Sequence, residues 1–457
     1  MTTDTSTDVA LVGHLMRRAG FALPAHELER LAEKSYEGLV DDLVDFEKFD
    51  PVEMHFLERY HSEFADGEGW TPLRIMYRMI NSKRPLQEKM ALMWHGVFAT
   101  GSAKVTNGPM MSQHYEMLRE FAVDNFAEIL KRLSRDPAML FWLDQQTNHA
   151  TAVNENWGRE LLELFSMGVG NYTEEDVRDC ARAYTGWTID QVIPRYPFGQ
   201  QGGSFVYRND DHDDGEKSFL GHNGDFNGDD IVDIIVDHPA TAQFVGREIH
   251  NFFVSDQPVQ SEIDAIAGAF TANGGDIREV MRTLFNSDFF KEAKFTRVRN
   301  PVEFIVGTVH LTDELRDPYE YGLHELPQKS TLMGQQLLNP PTVEGWHTGK
   351  EWIDSALLME RVNFAVERIG NQDAPGVEKM VDRVASGREW IEPAEILDAA
   401  LYELGALELG SKSRTALLDE VGTNNPLRCD GANRKQYEAA ILETFQLITA
   451  SREYQLG

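Results

Sequence analysis

Apolar positions recur at the spacing of an α-helix along most of the chain. Across residues 111–136 this spacing is carried by Met117, Leu118, Phe121, Phe126, Ile129 and Leu130. Polar residues that cap helix N-termini stand where helical segments begin: Asp136 precedes Pro137, and Thr173 stands three residues before Asp176. The pattern therefore predicts a mainly α protein built from many capped helices.

The exception is the stretch 186–224, where prolines, glycines and short β-favouring runs replace the helical pattern. We predict a small β-hairpin or meander here, inserted into a helical protein. On either side we expect an N-terminal helical lobe at 1–185 and a second helical lobe at 225–370, which carries a tryptophan-rich loop. A break with proline and glycine then separates a C-terminal helical segment, 371–457. A single compact domain is the alternative organisation.

Charge and hydropathy narrow the class of protein. The 457 residues include 43 Lys and Arg against 75 Asp and Glu, a formal net charge of −32. Such a field repels phosphate backbones, so we expect no nucleic-acid partner. No apolar run approaches the ~18 residues of a membrane span, and no basic start followed by an apolar core marks a secretory signal. We expect a soluble, cytoplasmic protein by default, with export as the alternative if a leader has been removed.

The segment 154–168, NENWGRELLELFSMG, concentrates charge on one face of a predicted helix. If Asn154 caps this helix, polar side chains line the face opposite its apolar stripe, at Glu155, Asn156, Arg159, Glu160 and Glu163. A solvated face, a buried polar network and a ligand or catalytic site are all consistent with this spacing. As a solvated face, its ion pairs would add only ~0.3–0.5 kcal/mol each.

The arginine content of this region favours a buried polar network or a site over a solvated helix face. No lysine stands between Lys131 and Lys217, although arginines recur there, and arginine without lysine suits fixed, bidentate pairing with carboxylates. If Arg159 pairs buried glutamates, Arg159→Ala should destabilise the fold by ~3 kcal/mol or more. An effect within about 0.5 kcal/mol would indicate a surface position. As a site, Glu155 or Glu160 would act as base or metal ligand while Arg159 anchors an anionic group.

Three other segments offer candidate chemistry. MWHGVFATG places His95 late in a helix, where an imidazole could carry protons or pack in the core. The acidic loop NDDHDDGEK holds His212 and Asp213, which could ligate a cation, although acidic loops are usually only solvated. The loop VEGWHTGKEW offers side chains that could contact a sugar or another flat ligand, or plug the core: Trp346, His347 and Trp352.

A fourth segment, DFNGDDIVD, begins like a calcium loop, with Asp225, Asn227 and Asp229 at the first three ligand positions. The match then fails, because Asp230 stands where an EF-hand needs glycine and Val236 stands where it needs glutamate. We therefore favour an Asn-Gly turn in which Asp229 or Asp230 caps the following helix. Calcium binding is the alternative.

Several of these segments resemble a bacterial family of uncharacterised proteins called DUF1800. The resemblance runs from HLMRRAGFALP to LITASREYQLG, and its segments include MWHGVFATG, NENWGRELLELFSMGVGNYTEEDVRDCARAYTGWT, HDDGEKSFLG, RNPVEFIVGT and MGQQLLNPPTVEGWHTGKEW. It implies a mostly helical protein with no established activity, substrate or cofactor. Within the acidic loop it singles out His212 and Asp213. It also implies export for many members, which stands against the cytoplasmic expectation.

Two functional hypotheses follow. The first is an enzyme or ligand-binding protein with a pocket between helical lobes, in which hydrolysis is metal-assisted or carboxylate-based. Its candidate catalytic residues are His95, Glu155, Arg159, Glu160 and His212. Its candidate substrate contacts are Asn154, Asn156, Glu163, Trp346, His347 and Trp352. A divalent metal would be held by Glu155, Glu160, His212 and Asp213, or by Asp225, Asn227 and Asp229. The alternative hypothesis is a non-catalytic helical binding or assembly protein that contacts a partner protein or a glycan.

Overall fold

Most of the chain folds into α-helices, as the apolar periodicity predicts. The computed structural model describes residues 7–60, 70–191, 202–320, 322–421 and 426–457. Within those ranges, twenty-three α-helices and three two-stranded antiparallel sheets form the regular structure. The predicted mainly α class is confirmed, whereas the division into lobes stays a prediction.

In the described part of the chain, eleven helices precede the β structure, and prolines in the first turn start several of them. They are α1 (Val9–Ala19), α2 (Ala25–Ala32), α3 (Tyr36–Val44), α4 (His55–Tyr60), α5 (Trp70–Asn81), α6 (Pro85–Val97), α7 (Gly108–Glu120), α8 (Phe126–Leu133), α9 (Pro137–Trp142), α10 (Asn156–Glu163) and α11 (Glu174–Ala183). The sequence signal of a proline at the first helical position is thus used repeatedly in this half of the protein.

Among the residues that the structure describes, twelve helices follow the first two sheets. They are α12 (Gly228–Asp237), α13 (Pro239–Phe253), α14 (Gln260–Ala272), α15 (Ile277–Asn286), α16 (Asp288–Glu292), α17 (Pro301–Thr312), α18 (Leu326–Leu332), α19 (Ser355–Ile369), α20 (Pro375–Ala385), α21 (Pro393–Glu403), α22 (Ser411–Val421) and α23 (Arg434–Thr449). In the part of the chain that the structure describes, no helix is long and apolar enough to cross a membrane. The expected cytoplasmic location stays a prediction.

Two of the three sheets lie within 186–224, where β structure is predicted. Their strands are β1 (Trp187–Gln191), β2 (Gly203–Tyr207), β3 (Lys217–Phe219) and β4 (His222–Gly224). β1 pairs with β2, and β3 pairs with β4. The predicted insertion is confirmed for its described part, and residues 192–201 lie outside the described residues. The third sheet joins β5 (Trp390–Ile391) to β6 (Leu427–Arg428), strands too short to show a period in the sequence.

Polar side chains begin helices at predicted positions. The Asp136 carboxylate accepts a first-turn backbone N–H of α9 at 2.8 Å, and Thr173 forms a reciprocal capping box with Asp176 before α11. Both predicted caps are confirmed. The helix predicted to begin after Asn154 instead begins at Asn156, whose N–H donates to the Asn154 side chain at 3.0 Å.

Two clusters of buried apolar side chains form the core. The first packs α1, α3, α8, α10, α11, α13 and α15 together and includes Trp157. The second packs α5, α17, α19, α21 and α23 together and includes Phe304. Helix α6 contributes to both, with Trp94 in the first cluster and Leu92 in the second. The two clusters therefore meet at α6.

A buried ionic group joins α6 to the start of α17, and we call it the Glu303 hub. The Glu303 carboxylate accepts from Lys89 Nζ at 2.5 Å and from both terminal nitrogens of Arg297 at 2.9 and 3.1 Å. It also accepts the Asn300 N–H at 2.8 Å in a capping box. Burial alone would raise the pKa of Glu303, but Arg297 and Lys89 outweigh burial and lower it to about 2.

Further buried arginines surround the hub and stack on aromatic rings. Arg361 lies 4.4 Å above the Phe304 ring and donates to the Arg299 carbonyl oxygen at 2.9 Å. Arg299 itself lies 4.8 Å above the Tyr454 ring. Aromatic faces attract cations, so these stacks offset part of the cost of burying guanidinium groups. They tie α19 and the segment after α23 to α17.

We predict that Glu303→Gln destabilises the fold by about 3–5 kcal/mol, because it leaves the buried Lys89 and Arg297 charges without their carboxylate. The free energy of unfolding is measured by urea denaturation. Since the Glu303 pKa is lower in the folded protein than its ordinary value of 4.5, this stabilisation is present above pH 4.5 and is lost as the pH falls toward 2. Glu443→Gln, at an exposed position in α23, is the matched control and should change stability by less than about 0.5 kcal/mol. Equal effects of the two substitutions would contradict the hub.

Candidate functional site

A pocket of about 320 Å³ opens between α6, α10, α13 and the loop before α19, and we call it the α6–α13 pocket. Its lining residues are Leu92, Met93, Gly96, Val97, Glu163, Leu164, Phe244, Glu248, Asn251, Phe252, Asp256, Arg297, Val298, Asn300, Gln335, Glu344, Trp346, Thr348, Gly349 and Trp352. Its size suits a small molecule, and aromatic walls with a few polar groups are typical of ligand pockets.

The tryptophan loop, residues 339–352, is held against the end of α6. Gly345 has a φ of 88° and approaches the Gly96 carbonyl oxygen so closely that a Cβ would overlap it. Behind this contact, the buried His95 ring meets the Trp346 ring edge-on, with centroids 5.0 Å apart. The contacts place the Trp346 indole in the pocket wall.

His95 itself does not line the pocket. Its Nε2 accepts the Leu338 N–H at 2.9 Å, which ties α6 to the start of the tryptophan loop. Burial, together with the nearby His114, lowers the pKa of His95 to about 3. The ring is therefore neutral at physiological pH, and its position favours support of Trp346 over the predicted proton transfer.

Helix α13 presents a titratable group that the sequence pattern did not single out. Phe244, Glu248 and Phe252 stand four residues apart, so one helix face carries a carboxyl group between two aromatic rings. Glu248 is half-buried at the pocket, and burial raises the pKa of its carboxyl group to about 7, while the charge of Arg247 opposes the increase. No hydrogen bond or ion pair to this group is found among the described residues. Glu248 can therefore gain or lose a proton near neutral pH.

Three more carboxylates line the pocket, each in a different setting. Glu163 accepts the Tyr172 hydroxyl at 3.1 Å. Asp256 accepts the Val298 N–H at 2.7 Å; burial raises the pKa of Asp256, while that hydrogen bond opposes the increase. Glu344 is exposed at the rim. Glu248 thus differs from these three carboxylates in being half-buried with no partner found within the described chain.

The pocket is also lined by one guanidinium group, that of Arg297, whose charge is already paired within the protein. Arg297 pairs with Glu303 through two hydrogen bonds and lies 4.8 Å above the Phe252 ring. Asn300 caps α17, and Gln335 accepts a first-turn N–H of the same helix at 3.0 Å. The pocket wall nearest the Glu303 hub is therefore fixed, and the free charge inside the pocket is negative.

The structure brings three of the predicted site residues together at this pocket: Glu163, Trp346 and Trp352. Glu160 lies beside them without lining the pocket, and burial followed by the charge of Glu163 raises its pKa. His347 is exposed, with its Nδ1 3.4 Å from the Glu351 carboxylate.

The polar side chains in the first turn of α10 lie at the surface. Arg159 pairs with Glu155 at 3.2 Å and with Glu174 of α11 at 2.7 Å, and Glu174 is 78% exposed. Asn156 is exposed as well. The network of buried glutamates considered for Arg159 is absent from the described residues, because the partner that α11 supplies is solvated. Only the far end of this helix, at Glu163, faces the pocket.

The acidic loop is bound to α11 and does not line the pocket. Nδ1 of His212 donates to the Thr185 carbonyl oxygen at 2.9 Å, and Asp213 pairs with Arg182 at 2.7 Å. The hydrogen bond from Arg182 lowers the pKa of Asp213. These contacts indicate a structural role in joining the β insertion to the helices.

The calcium-like segment forms a helix start. Asn227, and not Asp229 or Asp230 as predicted, is the cap of α12, because its side chain reaches the Asp229 N–H at 2.9 Å while Asp230 completes a capping box. Asp229 pairs with Arg135 at 2.5 Å, and Asp225 lies 3.5 Å from a lysine ammonium. In the described ranges, no group of three or more His, Cys, Asp or Glu side chains is arranged to hold a metal ion.

We predict that Arg159→Ala lowers the free energy of unfolding by no more than about 1 kcal/mol, because both of its ion pairs are solvated. Arg297→Ala, at a buried position, is the comparison and should lower the free energy of unfolding by about 3 kcal/mol or more. Urea denaturation measures both. A larger loss at Arg159 than at Arg297 would contradict the placement of α10.

A second prediction concerns Glu248→Gln and pH. Because the Glu248 pKa is higher in the folded protein than in the unfolded chain, the ionised group destabilises the fold progressively as the pH rises from about 4.5 through about 7. The substitution should therefore raise the free energy of unfolding by at least about 1 kcal/mol near pH 8 and by less near pH 5. Glu443→Gln should show no such pH dependence. A gain that is equal at both pH values would show that Glu248 is not strained by burial.

Comparison with known proteins places the chain in a family. No curated protein matches it, and no solved structure matches it. A family model described as "Protein of unknown function (DUF1800)" matches residues 14–456, nearly the whole chain. The protein therefore belongs to the DUF1800 family.

Proposed function

We propose that the protein binds a small molecule in the α6–α13 pocket and exchanges a proton with it through Glu248. The observation that carries this proposal is the Glu248 carboxyl group, which is half-buried in a ligand-sized pocket, has no partner among the described residues, and has a pKa near 7. Carboxyl groups with strongly raised pKa values in clefts are typical of acid–base sites. Retaining such a group costs stability, which function would explain.

The surrounding residues support an acid–base reaction such as hydrolysis. Glu248 would act as general acid or base, and Glu163, oriented by Tyr172, offers a second carboxylate in the same pocket. Trp346 and Trp352 supply flat apolar surfaces against which a substrate can stack. The arrangement favours carboxylate-based chemistry over the metal-assisted variant, since no group of three or more His, Cys, Asp or Glu side chains among the described residues is placed to hold a metal ion.

The non-catalytic hypothesis keeps one supporting observation. Glu344 and His347 are exposed at or beside the rim of the pocket, and Trp346 is half-buried. A glycan or a partner protein could therefore contact the tryptophan loop from outside without a reaction in the pocket. Binding without conversion of the ligand is the outcome that would favour this second candidate.

Binding is tested with methyl-labelled methionine NMR, because Met93 lines the pocket and Met93→Leu assigns its signal. A library of neutral, anionic and cationic small molecules is screened for shifts of the Met93 methyl resonance. Gly96→Leu is the blocking control: a Cβ at Gly96 would meet nothing within 4 Å in the described chain, so a longer side chain can fill the pocket without a backbone clash.

Catalysis is tested on the same samples by following the signals of the bound molecules over time. We expect conversion that Glu248→Gln slows by about 10²–10⁴-fold while the Met93 shift persists. Conversion that survives in Glu248→Gln would remove Glu248 from the mechanism. A library that never shifts Met93, or shifts it equally in Gly96→Leu, would overturn the pocket as the functional site.

A further inference from the structure

The charge balance of the α6–α13 pocket indicates what kind of ligand it accepts. Four carboxyl groups line it, from Glu163, Glu248, Asp256 and Glu344. The opposing guanidinium of Arg297 is bound by the Glu303 carboxylate at 2.9 and 3.1 Å and has little charge left for a ligand. An anionic ligand would meet uncompensated repulsion in this pocket, whereas a cationic ligand would be attracted.

The hydrogen bonds of the carboxylates single out one of them as the counter-charge. Glu163 is engaged by Tyr172 and Asp256 by the Val298 N–H, while Glu344 is exposed at the rim. Glu248 is half-buried inside the pocket, and no hydrogen bond or ion pair to it is found among the described residues. A partly desolvated carboxylate without a partner is costly, and a cation that binds beside it offsets that cost.

The aromatic walls fit the same ligand class. Indole faces attract cations more strongly than other aromatic rings, and Trp346 and Trp352 both line the pocket. The pocket already contains one such contact, between Arg297 and the Phe252 ring at 4.8 Å. A bare metal ion is disfavoured, since no three ligating side chains converge among the described residues. The combination of carboxylate and aromatic surface suits an organic cation.

We infer that the ligand of the α6–α13 pocket is a small organic cation, an amine or ammonium compound, whose charge pairs with Glu248 while its apolar part lies against Trp346 and Trp352. This inference rests on the proposed function and specifies its substrate class. Binding requires the ionised form of Glu248, so the cation displaces a proton from that carboxyl group. The other charges that face or adjoin Glu248 are those of Glu163, Asp256, Glu344, Arg297 and Arg247.

Three probes of similar size and different charge test the inference: 2-phenylethylamine, 2-phenylethanol and phenylacetate. Shifts of the Met93 methyl resonance are titrated with each probe. We expect the amine to bind at least about 10-fold more tightly than the alcohol, and phenylacetate to bind more weakly than either. Glu248→Gln should weaken binding of the amine by about 10-fold or more and leave the affinity for the alcohol unchanged. Gly96→Leu should abolish all three shifts.

The pH dependence provides a second readout. Affinity for the amine should rise between about pH 6 and about pH 8, as Glu248 ionises, while affinity for the alcohol stays constant. Equal binding of the amine and the alcohol, or tighter binding of phenylacetate, would overturn the cationic ligand and leave the proposed pocket standing. The absence of any shift from all three probes would overturn the cationic ligand as well, and the library screen would then decide on the pocket itself.

Discussion

The ion pairs of Glu303 are the interaction on which the rest of the structure depends. They join Lys89 of α6, where the two apolar clusters meet, to Arg297 and the start of α17. A buried charge that loses its partner is strongly destabilising, so the geometry around the carboxylate is narrowly constrained. Because Arg297 and Asn300 also line the α6–α13 pocket, the hub fixes one wall of the candidate site.

Glu248 of α13 has the opposite charge environment to Glu303. Glu303 is surrounded by cations and its pKa is lowered to about 2, while Glu248 is half-buried with no partner found among the described residues and its pKa is raised to about 7. The first arrangement stabilises the fold, and the second costs stability. The proposed ligand would supply the charge that Glu248 lacks, next to a pocket wall that is held by the paired Arg297.

Local patterns in the sequence predicted the local structure well. The helix starts at Asp136 and Thr173 and the β structure near 186–224 follow from residue preferences that act within a few positions. The site was predicted only in part, since helical spacing shows which residues share a face but not what packs against it. Arg159 pairs with the solvated Glu174 of α11, a contact that the sequence of α10 cannot show. The sequence pattern also did not single out Glu248. Its position between Phe244 and Phe252 was the one available signal, but the burial of Glu248 depends on contacts with distant elements.

The most direct test of this account is the pKa of Glu248, measured by following the glutamate side-chain carboxyl carbons by ¹³C NMR as the pH is changed. Glu248→Gln assigns the resonance. We expect an inflection near pH 7, far above the ordinary value of 4.5. An inflection near 4.5 would mean that the carboxyl group is well solvated or paired, and it would contradict both the unpaired charge in the pocket and the function built on it.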